Sequence, residues 1–473
     1  MQFLPSTLLS PKWIVLVAGL ALATLAPRFV HAEALLVVEV DSGKVLQAEN
    51  ATYPWYPASV TKIMTAYVVL KAVKEGKISL DSLVTVSPIA AAEPPSKMGF
   101  KAGTQLTVEN ALTMMMVKSA NDIAVVLAEG IGGSVDGFSE IMNANAARLG
   151  MTQTHYVNPN GLPAEGHVTS ARDLAILARA LIHDLPEYEY FVHIPSMKFG
   201  RRVTQNFNRL IGRFPGADGM KTGFICASGY NLVGTATRNG KRLVAVVLGS
   251  TSGQARAVKA AQLLERGFAN NNLTWLRPAL GTVDNLAPID AAPPNLRDEM
   301  CGPKRKRPAS DADEETVSAS AAGADNAMSF FTAGLQQPVL RPLDMIAAAP
   351  APSEPKIVYI GPKKTGADLI AANAVEEAKQ TPKAKPAAKK RAAAKPDAAG
   401  ADAKPAADAK AGAKPALKRV VIQPDAAPKA AAAKPAVAAK PAAAAPAKPK
   451  AAAKPGPKAT TGEAKPATAT PRT

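Results

Sequence analysis

Strand-forming segments lie at the two ends of the stretch between residues 33 and 268, and this placement limits how the chain can fold. At the first end, the mostly apolar residues 35–40 and 45–47 surround the turn sequence Asp-Ser-Gly-Lys, which predicts a β-hairpin. At the second end, residues 230–238 and 241–249 are β-rich around Asn239-Gly240, a pair suited to a type I′ turn. Residues 254–268 follow with helical periodicity.

The region between these ends is predicted to be mostly helical, with helices in 59–74, 108–117, 122–129 and 170–181 and an interruption at Ser119. Ser170 and Asp173 predict a capping box in which both side chains satisfy free amides. Strands at both ends with helices between them predict an α/β (α+β) fold: one antiparallel sheet flanked by helices, plus a helical subdomain. We expect the chemistry in the cleft between these two parts.

Composition divides the chain into four predicted parts. Residues 1–32 are typical of a secretory signal, with Lys12 before an apolar run from Ile14 to Leu25, so export is expected. An uncleaved N-terminal anchor is the alternative. Residues 33–284 are predicted to form the folded domain, 285–370 a mostly irregular linker, and 371–473 a tail.

Most of the net charge of +18 lies in this tail, where 21 Lys and Arg face 7 Asp and Glu, a balance of +14. The tail repeats Ala-Lys-Pro and has almost no large apolar side chains, so we expect it to be disordered. Such tails also occur in proteins that bind nucleic acid, but the signal sequence directs this chain away from it. We therefore expect contacts with anionic envelope polymers or lipid head groups.

No metal or cofactor is expected, because the five histidines lack paired spacing and two cysteines cannot form a cysteine-based metal site. In an oxidising compartment Cys226 and Cys301 predict one disulfide, which would hold the segment after residue 285 beside the strand that carries Cys226. The alternative leaves Cys226 buried as a small apolar residue and Cys301 free.

Three short motifs occur in the order that serine acyl-transferases require: Ser59-Val60-Thr61-Lys62, Ser119-Ala120-Asn121 and Lys221-Thr222-Gly223. Each motif is common by itself, as a second Lys-Thr-Gly at 364–366 in the Pro/Ala/Lys-rich region shows. The ordered set is much rarer, and it predicts a catalytic serine.

The motif residues can divide the work of acyl transfer. Ser59 and Lys62 are three residues apart at a helix start, so a lysine with a lowered pKa can take the serine proton, and Lys221 is a second cation that would lower that pKa. The backbone N–H of Ser59 would form half of an oxyanion hole. Alone, each residue also fits a plain structural role, Ser59 as a helix cap and Lys62 or Lys221 as a solvated or strand-edge lysine.

The other members of the motifs have expected roles toward the substrate. Ser119 can relay a proton to the leaving amine, and Asn121 can hold a substrate amide. Lys221 and Thr222 offer a charge and a hydroxyl to a carboxylate, while Gly223 lets a substrate backbone approach the strand edge.

The stretch from about residue 33 to residue 268 resembles the D-alanyl-D-alanine carboxypeptidases of the low-molecular-mass penicillin-binding protein family. The likeness extends past the three motifs to residues 56–65, 119–122, 170–174, 206–208, 218–223 and 228–232. It implies a serine β-lactamase/D,D-peptidase-like fold for 33–284. It also implies an acyl-enzyme on Ser59 formed from the D-Ala-D-Ala end of peptidoglycan stem peptides, and acylation of the same serine by penicillins and other β-lactams.

The resemblance adds two residues to the expected site. It implies that the backbone N–H of Phe224 completes the oxyanion hole and that Arg256 helps to bind the terminal carboxylate. An exposed helix arginine is the alternative for Arg256. Many relatives have histidine where this chain has Phe224, and many carry a β-rich second domain and an amphipathic anchor helix, neither of which resembles anything after residue 285.

Three other functions compete with this one. A class A β-lactamase needs a deacylating glutamate, and no Glu-x-x-Leu-Asn pattern occurs between Gly161 and Asp218. A D,D-endopeptidase would use the same residues and stays open. A wall-binding scaffold acting through the basic tail is the alternative from another class, and the presence of Ser59, Lys62 and Lys221 together argues against it. The expected location is the periplasm, peripheral to membrane or wall.

Overall fold

The computed structural model describes residues 33–269, 280–303 and 341–380. Its main sheet is antiparallel throughout, with the strand order β2-β1-β9-β8-β7. None of the helices in these ranges combines the length and the apolar composition that a membrane crossing requires. The strands are β1 Ala34–Glu39, β2 Val45–Glu49, β3 Leu83–Thr85, β4 Gln105–Thr107, β5 Ser196–Phe199, β6 Arg202–Gln205, β7 Ala217–Ile225, β8 Gly229–Arg238, β9 Lys241–Ser250 and β10 Lys356–Ile357.

Ten α-helices accompany these strands within the described ranges. They are α1 Lys62–Lys74, α2 Pro88–Ala92, α3 Val108–Lys118, α4 Asn121–Gly132, α5 Val135–Arg148, α6 Ala171–Asp184, α7 Gly253–Phe268, α8 Arg297–Cys301, α9 Pro342–Ala347 and α10 Gly366–Gln380. A 3-10 turn, Ala58–Thr61, leads directly into α1.

The sheet is covered on both faces because its central strands are apolar on both sides. In β9, Leu243, Ala245 and Val247 pack in one cluster with α7, while Val244 and Val246 pack in the other cluster with the helical part. Successive side chains of a strand point to opposite faces of the sheet, so β9 contributes apolar residues to both clusters. The predicted α+β fold, with an antiparallel sheet closed by both ends of the domain and flanked by helices, is confirmed.

The hairpin predicted around Asn239-Gly240 is present, and both turn residues have positive φ, 50° and 75°. Helix α1 lies at the centre of the helical part, and every residue from Lys62 to Leu70 is buried. A helix that is buried on all sides must be apolar on all sides, so the one lysine at its start stands out.

The break predicted at Ser119 is a left-handed residue, with φ 60° and ψ 31°, that ends α3 immediately before α4 begins. The predicted capping box is only half right. Ser170 accepts a hydrogen bond from the Asp173 backbone N–H, but the Asp173 carboxylate turns away and accepts from the Gln153 N–H at 2.8 Å and from Thr154 at 2.7 Å. That carboxylate ties a neighbouring loop to the helix and does not cap it.

Parts of the region after residue 284 that the structure describes pack on the domain. Met345 and Ile346 of α9 are buried against α7, strand β10 pairs in parallel with β5, and Val358 is buried in the larger cluster. Helix α10 crosses the predicted boundary at residue 370. Apolar residues spaced along a polar segment were enough to dock it, because the sheet and the β5–β6 hairpin offered partners.

The predicted signal at 1–32 and the tail beyond residue 380 lie outside the described residues. Cys226 and Cys301 are joined in a disulfide across 75 residues of sequence, so the segment that carries α8 lies beside the end of β7. Leu296 also donates its backbone N–H to the Ala227 carbonyl at 2.9 Å. Residues 295–301 therefore form part of the domain surface next to β7.

Candidate active site

The turn that carries Ser59 is attached to the sheet by a buried asparagine. Asn231 of β8 donates from its side-chain amide to the carbonyls of Tyr56 and Pro57 at 2.9 and 3.0 Å, and its Oδ1 accepts from the Gly249 N–H at 3.1 Å. Trp55 adds a bond from its indole N–H to the Ser228 carbonyl at 3.0 Å. These bonds hold the backbone just before Ser59 against β8.

Lys62 lies one turn after Ser59 with its amine fully enclosed. Its Nζ lies 2.9 Å from Ser59 Oγ, 2.9 Å from Asn121 Oδ1 and 2.6 Å from the carbonyl of Asn160. The side chain of Lys62 has no exposed surface, whereas Ser59 is partly exposed. Two of the predicted motifs, Ser-x-x-Lys and Ser-x-Asn, therefore meet at one nitrogen atom.

The partners of this nitrogen differ in chemistry. A carbonyl oxygen and an amide oxygen can only accept, so Asn160 and Asn121 require two hydrogens from Lys62. The hydroxyl of Ser59 can either accept or donate. A neutral amine has two hydrogens and one lone pair, and with both hydrogens committed, its lone pair is directed at the Ser59 hydroxyl.

The electrostatics favour this neutral state. Burial lowers the pKa of Lys62 well below its ordinary value of 10.5, and the positive charge of Lys221 lowers it further. The carboxylates of Glu93 and Asp122 raise the pKa of Lys62, but they are the smaller causes. Glu93 is itself partly buried, and that burial raises the pKa of its carboxyl group.

The Ser119–Asn121 segment reaches the site because the chain reverses at the left-handed Ser119. Asn121 then begins α4 with its side chain buried against Lys62, and its Nδ2 donates to the Pro94 carbonyl at 3.1 Å. Asp122 accepts from the backbone N–H groups of Met98 and Gly99 at 3.0 and 2.8 Å. The 94–99 loop is thereby fastened over the start of α4.

Strand β7 is the edge strand of the main sheet, and its Gly223 lies against the Ser59 turn. A Cβ atom at position 223 would lie 2.7 Å from Ser59 N and 2.9 Å from Val60 N. These distances are too short for any side chain, so glycine is required by proximity. The backbone N–H groups of Ser59 and Phe224 therefore come from two main-chain segments that lie in close contact.

The remaining predicted residues lie along β7 and behind it. Lys221 is buried and donates to the Thr222 carbonyl at 3.0 Å. The Phe224 ring packs on the ring of Tyr230, with 4.2 Å between centroids. Arg256 is buried at 1% exposure, so its alternative as an exposed helix arginine is wrong. Its guanidinium lies 5.5 Å from the centre of the Tyr230 ring.

Arg256 also donates to the Asn231 carbonyl at 3.3 Å, and Asn231 pairs with Gly223 across the two strands. The guanidinium therefore lies behind the β8 strand, close to the Lys-Thr-Gly segment. Thr222 pairs with Leu232, whose side chain belongs to the cluster formed with α7, so Thr222 faces the same side of the sheet as that helix.

Three residues at the site were missed by sequence reasoning: Asn160, Gly161 and His167. Gly161 has φ of +82°, and a Cβ there would lie 1.9 Å from the Ala58 carbonyl oxygen. The sequence Asn158-Pro-Asn-Gly signals a tight turn, but nothing in it shows that the turn docks on the Ser59 turn.

Lys364 of the second Lys-Thr-Gly donates to the Ile360 carbonyl at 3.1 Å.

His167 supports the Ser59 turn from below as a neutral ring. Its Nδ1 accepts from the Val157 N–H at 3.0 Å, so its Nε2 carries the hydrogen and donates to Thr61 Oγ1 at 2.9 Å. Burial lowers the pKa of His167 to about 3, with smaller contributions from His155 and Lys62. Within the described ranges, no three His, Cys, Asp or Glu side chains come together as they would around a metal ion.

Comparison with known proteins gives a consistent result. Residues 22–252 match a family model described as D-alanyl-D-alanine carboxypeptidase. D-alanyl-D-alanine carboxypeptidase DacC of Escherichia coli (strain K12) is 40% identical over 247 residues, covering 50% of this chain and 62% of the relative. D-alanyl-D-alanine carboxypeptidase DacB2 of Mycobacterium tuberculosis (strain ATCC 25618 / H37Rv) is 33% identical over 249 residues, covering 51% of this chain and 83% of the relative.

Among solved structures, penicillin binding protein 5 from Haemophilus influenzae matches with a TM-score of 0.49 and 37% identity, covering 51% of this chain and 72% of that chain. The chain spans 62 to 65% of the length of three of the curated relatives that it matches, and DacC of Escherichia coli is one of the three.

Proposed function

We propose, because the chain belongs to the D-alanyl-D-alanine carboxypeptidase family, that it is a serine hydrolase which removes the terminal D-alanine from peptidoglycan stem peptides. The observation that carries this proposal is the environment of the Lys62 amine. Its Nζ lies within hydrogen-bonding distance of two obligatory acceptors and of Ser59 Oγ, so a neutral amine would give its two hydrogens to the acceptors and direct its lone pair at the Ser59 hydroxyl. That arrangement suits a general base next to a nucleophile.

In the proposed first half-reaction, Lys62 takes the Ser59 proton as the oxygen attacks the carbonyl carbon of the penultimate D-alanine. The oxyanion that forms is held by the backbone N–H groups of Ser59 and Phe224. The C–N bond then breaks, the proton held by Lys62 passes through Ser119 to the leaving amine, and an ester on Ser59 remains beside a neutral Lys62. Asn121 holds a substrate amide meanwhile.

In the second half-reaction a water molecule gives a proton to Lys62 and attacks the ester carbonyl. The ester C–O bond to Ser59 then breaks, Lys62 returns its proton to the Ser59 oxygen, and the products are the shortened peptide acid and the regenerated Ser59 hydroxyl. Lys221, Thr222 and Arg256 are proposed to bind the terminal carboxylate, which only a substrate with a free C-terminus offers at this point. A β-lactam presents a carboxylate and a strained amide in the same arrangement, so we propose that it acylates the same serine.

The decisive experiment incubates the purified protein with a pentapeptide muropeptide and with a cross-linked muropeptide dimer and identifies the products by mass. The expected result is free D-alanine from the pentapeptide and an uncut dimer. Cleavage of the dimer would instead favour the D,D-endopeptidase function. If neither substrate is cut, the proposed activity is wrong and the wall-binding scaffold becomes the better explanation.

The variant Ser59→Ala provides the matched test of the nucleophile. It should lose both peptide hydrolysis and covalent labelling by a fluorescent penicillin, because the hydroxyl that lies 2.9 Å from the proposed base is removed. The isosteric control Ser42→Ala lies in the exposed first hairpin turn and should keep both. Labelling of the Ser59→Ala protein at the rate of the unchanged protein would contradict the mechanism.

We further propose that the protein is exported and acts in the periplasm, peripheral to membrane or wall. The support is the signal-like sequence at 1–32 and the net charge of +14 over residues 371–473. The basic tail would contact anionic envelope polymers or lipid head groups. Retention on anionic envelope fractions should fall as salt rises and should be lost when residues 381–473 are removed. Retention that does not depend on the tail would contradict this.

A further inference from the structure

A carboxylate lies next to the surroundings of Lys62 and has no part in the chemistry proposed above. Glu93 directly follows α2, and its backbone is extended, with φ −52° and ψ 142°, because the residue before a proline avoids the helical region. Its Oε2 accepts a hydrogen bond from Asn160 Nδ2 at 3.0 Å. The carbonyl of the same Asn160 accepts from the Lys62 amine at 2.6 Å. A single residue therefore connects the carboxylate to the proposed base.

The side-chain amide of Asn160 is held at both of its ends. The backbone N–H of Leu162 donates to Asn160 Oδ1 at 3.0 Å, and an N–H can only donate, so the Nδ2 group must face Glu93. Asn160 is buried. Without the carboxylate, its amide would lose the acceptor that fixes it, and the carbonyl that bonds Lys62 would lose part of its support.

The next residue along the chain orients the other acceptor of Lys62. The Pro94 carbonyl accepts from Asn121 Nδ2 at 3.1 Å, which leaves Asn121 Oδ1 directed at the Lys62 amine at 2.9 Å. The segment is fastened in turn, because the Asn121 backbone N–H donates to the Ser96 carbonyl at 2.8 Å. Two consecutive residues, Glu93 and Pro94, thus orient both of the asparagines whose oxygens accept from the amine.

Glu93 differs from Pro94 because it also brings a charge. The neutral Lys62 amine becomes an ammonium when it takes the Ser59 proton, so a nearby carboxylate stabilises the state that forms during acylation. The charged side chains that act on Lys62 come from three elements. Lys221 of β7 lowers the pKa of Lys62, whereas Glu93 and Asp122 of α4 raise it.

The surroundings of Glu93 itself contain charges of both signs. Burial raises the pKa of the Glu93 carboxyl, and the negative charge of Asp122 raises it further. The hydrogen bond from Asn160 and the positive charges of Lys62 and Lys97 act in the opposite direction and favour the carboxylate.

We propose that Glu93 is a positioning residue for Lys62, which orients Asn160 through its hydrogen bond and stabilises by its charge the ammonium that Lys62 becomes. The carboxylate keeps its charge throughout, because the proton passes from Ser59 to Lys62 and then through Ser119 to the leaving amine. This inference rests on the proposed function, since it takes Lys62 as the base.

The test measures the second-order rate of acylation of the full-length protein by a fluorescent penicillin as a function of pH. Glu93→Gln is isosteric and keeps an oxygen acceptor for Asn160, so it removes only the charge. The pKa of Lys62 should fall, and the acidic limb of the profile should move to lower pH. The plateau rate should fall about threefold, because a base of lower pKa is weaker. A purely structural role would instead lower the rate equally at every pH.

Glu93→Ala separates the hydrogen bond from the charge. Its acidic limb should move in the same direction as that of Glu93→Gln. Its plateau rate should fall about tenfold further, as the loss of one charge-assisted hydrogen bond predicts. Equal plateau rates in the two variants would overturn the orienting role of Glu93.

Two further variants give the controls. Glu140→Gln removes an exposed carboxylate on α5 and should leave the limb and the plateau as they are. Lys221→Gln makes the opposite change of charge and should move the limb to higher pH. An unmoved limb in Glu93→Gln beside a moved limb in Lys221→Gln would overturn the electrostatic role of Glu93 while the proposed function stands. If penicillin does not label Ser59 in the unchanged protein, both proposals fall.

Discussion

The closest test of the site geometry is the substitution Gly223→Ala. An added Cβ would lie 2.7 Å from Ser59 N, 2.9 Å from Val60 N and 3.2 Å from the Cβ of Ala58. Ordinary contact begins at 3.4 Å, so β7 and the Ser59 turn would have to separate by about 0.7 Å in a close-packed interior. Neither side can yield easily, because all but one of the atoms met are main-chain nitrogens.

The Ser59 turn is held from both sides. Asn231 bonds the carbonyls of Tyr56 and Pro57, and Gly161 approaches the Ala58 carbonyl so closely that it also leaves no space. The expected loss of stability is about 1 to 3 kcal/mol, the usual range for overpacking. The acylation rate should fall by a larger factor than this loss of stability suggests. A displacement near 1 Å between reacting groups can reduce a rate about 100-fold, so we expect penicillin acylation to slow about 30- to 100-fold.

The assay measures the second-order rate of acylation by a fluorescent penicillin alongside the melting temperature. Gly234→Ala on the adjacent strand β8 is the matched control, since its Cβ would meet only the end of the Leu210 side chain at 2.7 Å. It should lower the melting temperature and leave the acylation rate near that of the unchanged protein. The reasoning is refuted if Gly223→Ala acylates normally, or if Gly234→Ala slows acylation by as much.

Three further outcomes are expected. Lys221→Gln removes a positive charge that lowers the pKa of Lys62, so the pKa of Lys62 should rise. In a plot of penicillin acylation rate against pH, the acidic limb should then move to higher pH, and an unmoved limb would contradict this. A chain ending at residue 303 should lose about 3 kcal/mol of unfolding free energy relative to one ending at residue 380, since burying one large apolar side chain contributes about 1.5 to 3 kcal/mol before the cost of ordering the segment. Equal melting temperatures for these two chains would show that 341–380 does not pack on the domain. Peptide mapping of non-reduced protein should recover Cys226 linked to Cys301, and Cys226→Ser should cost about 4 kcal/mol in the loop-entropy description of a 75-residue span; two alkylated cysteines would reject the bridge.

Local patterns in the sequence were sufficient for the elements of the fold. Period-2 runs around Asn239-Gly240 predicted the β8–β9 hairpin, and the helical runs on either side of Ser119 predicted α3, α4 and the break between them. These features depend on residues a few positions apart, where backbone preference and side-chain periodicity act directly. The order of the three motifs likewise predicted a site containing Ser59, Lys62 and Lys221, whose roles remain proposals.

What the tertiary structure decided concerns contacts between residues far apart in sequence. The Lys62 amine donates to the main-chain carbonyl of Asn160, which lies 98 positions away in the sequence. No local sequence pattern identifies this carbonyl as the partner of Lys62. Arg256 is buried because β8 lies beneath its helix, although its own segment is that of an amphipathic surface helix. Residues 341–380 pack on the domain through a few apolar side chains in a polar segment. Such docking depends on the shape and free edges of a surface that exists only after the domain has folded.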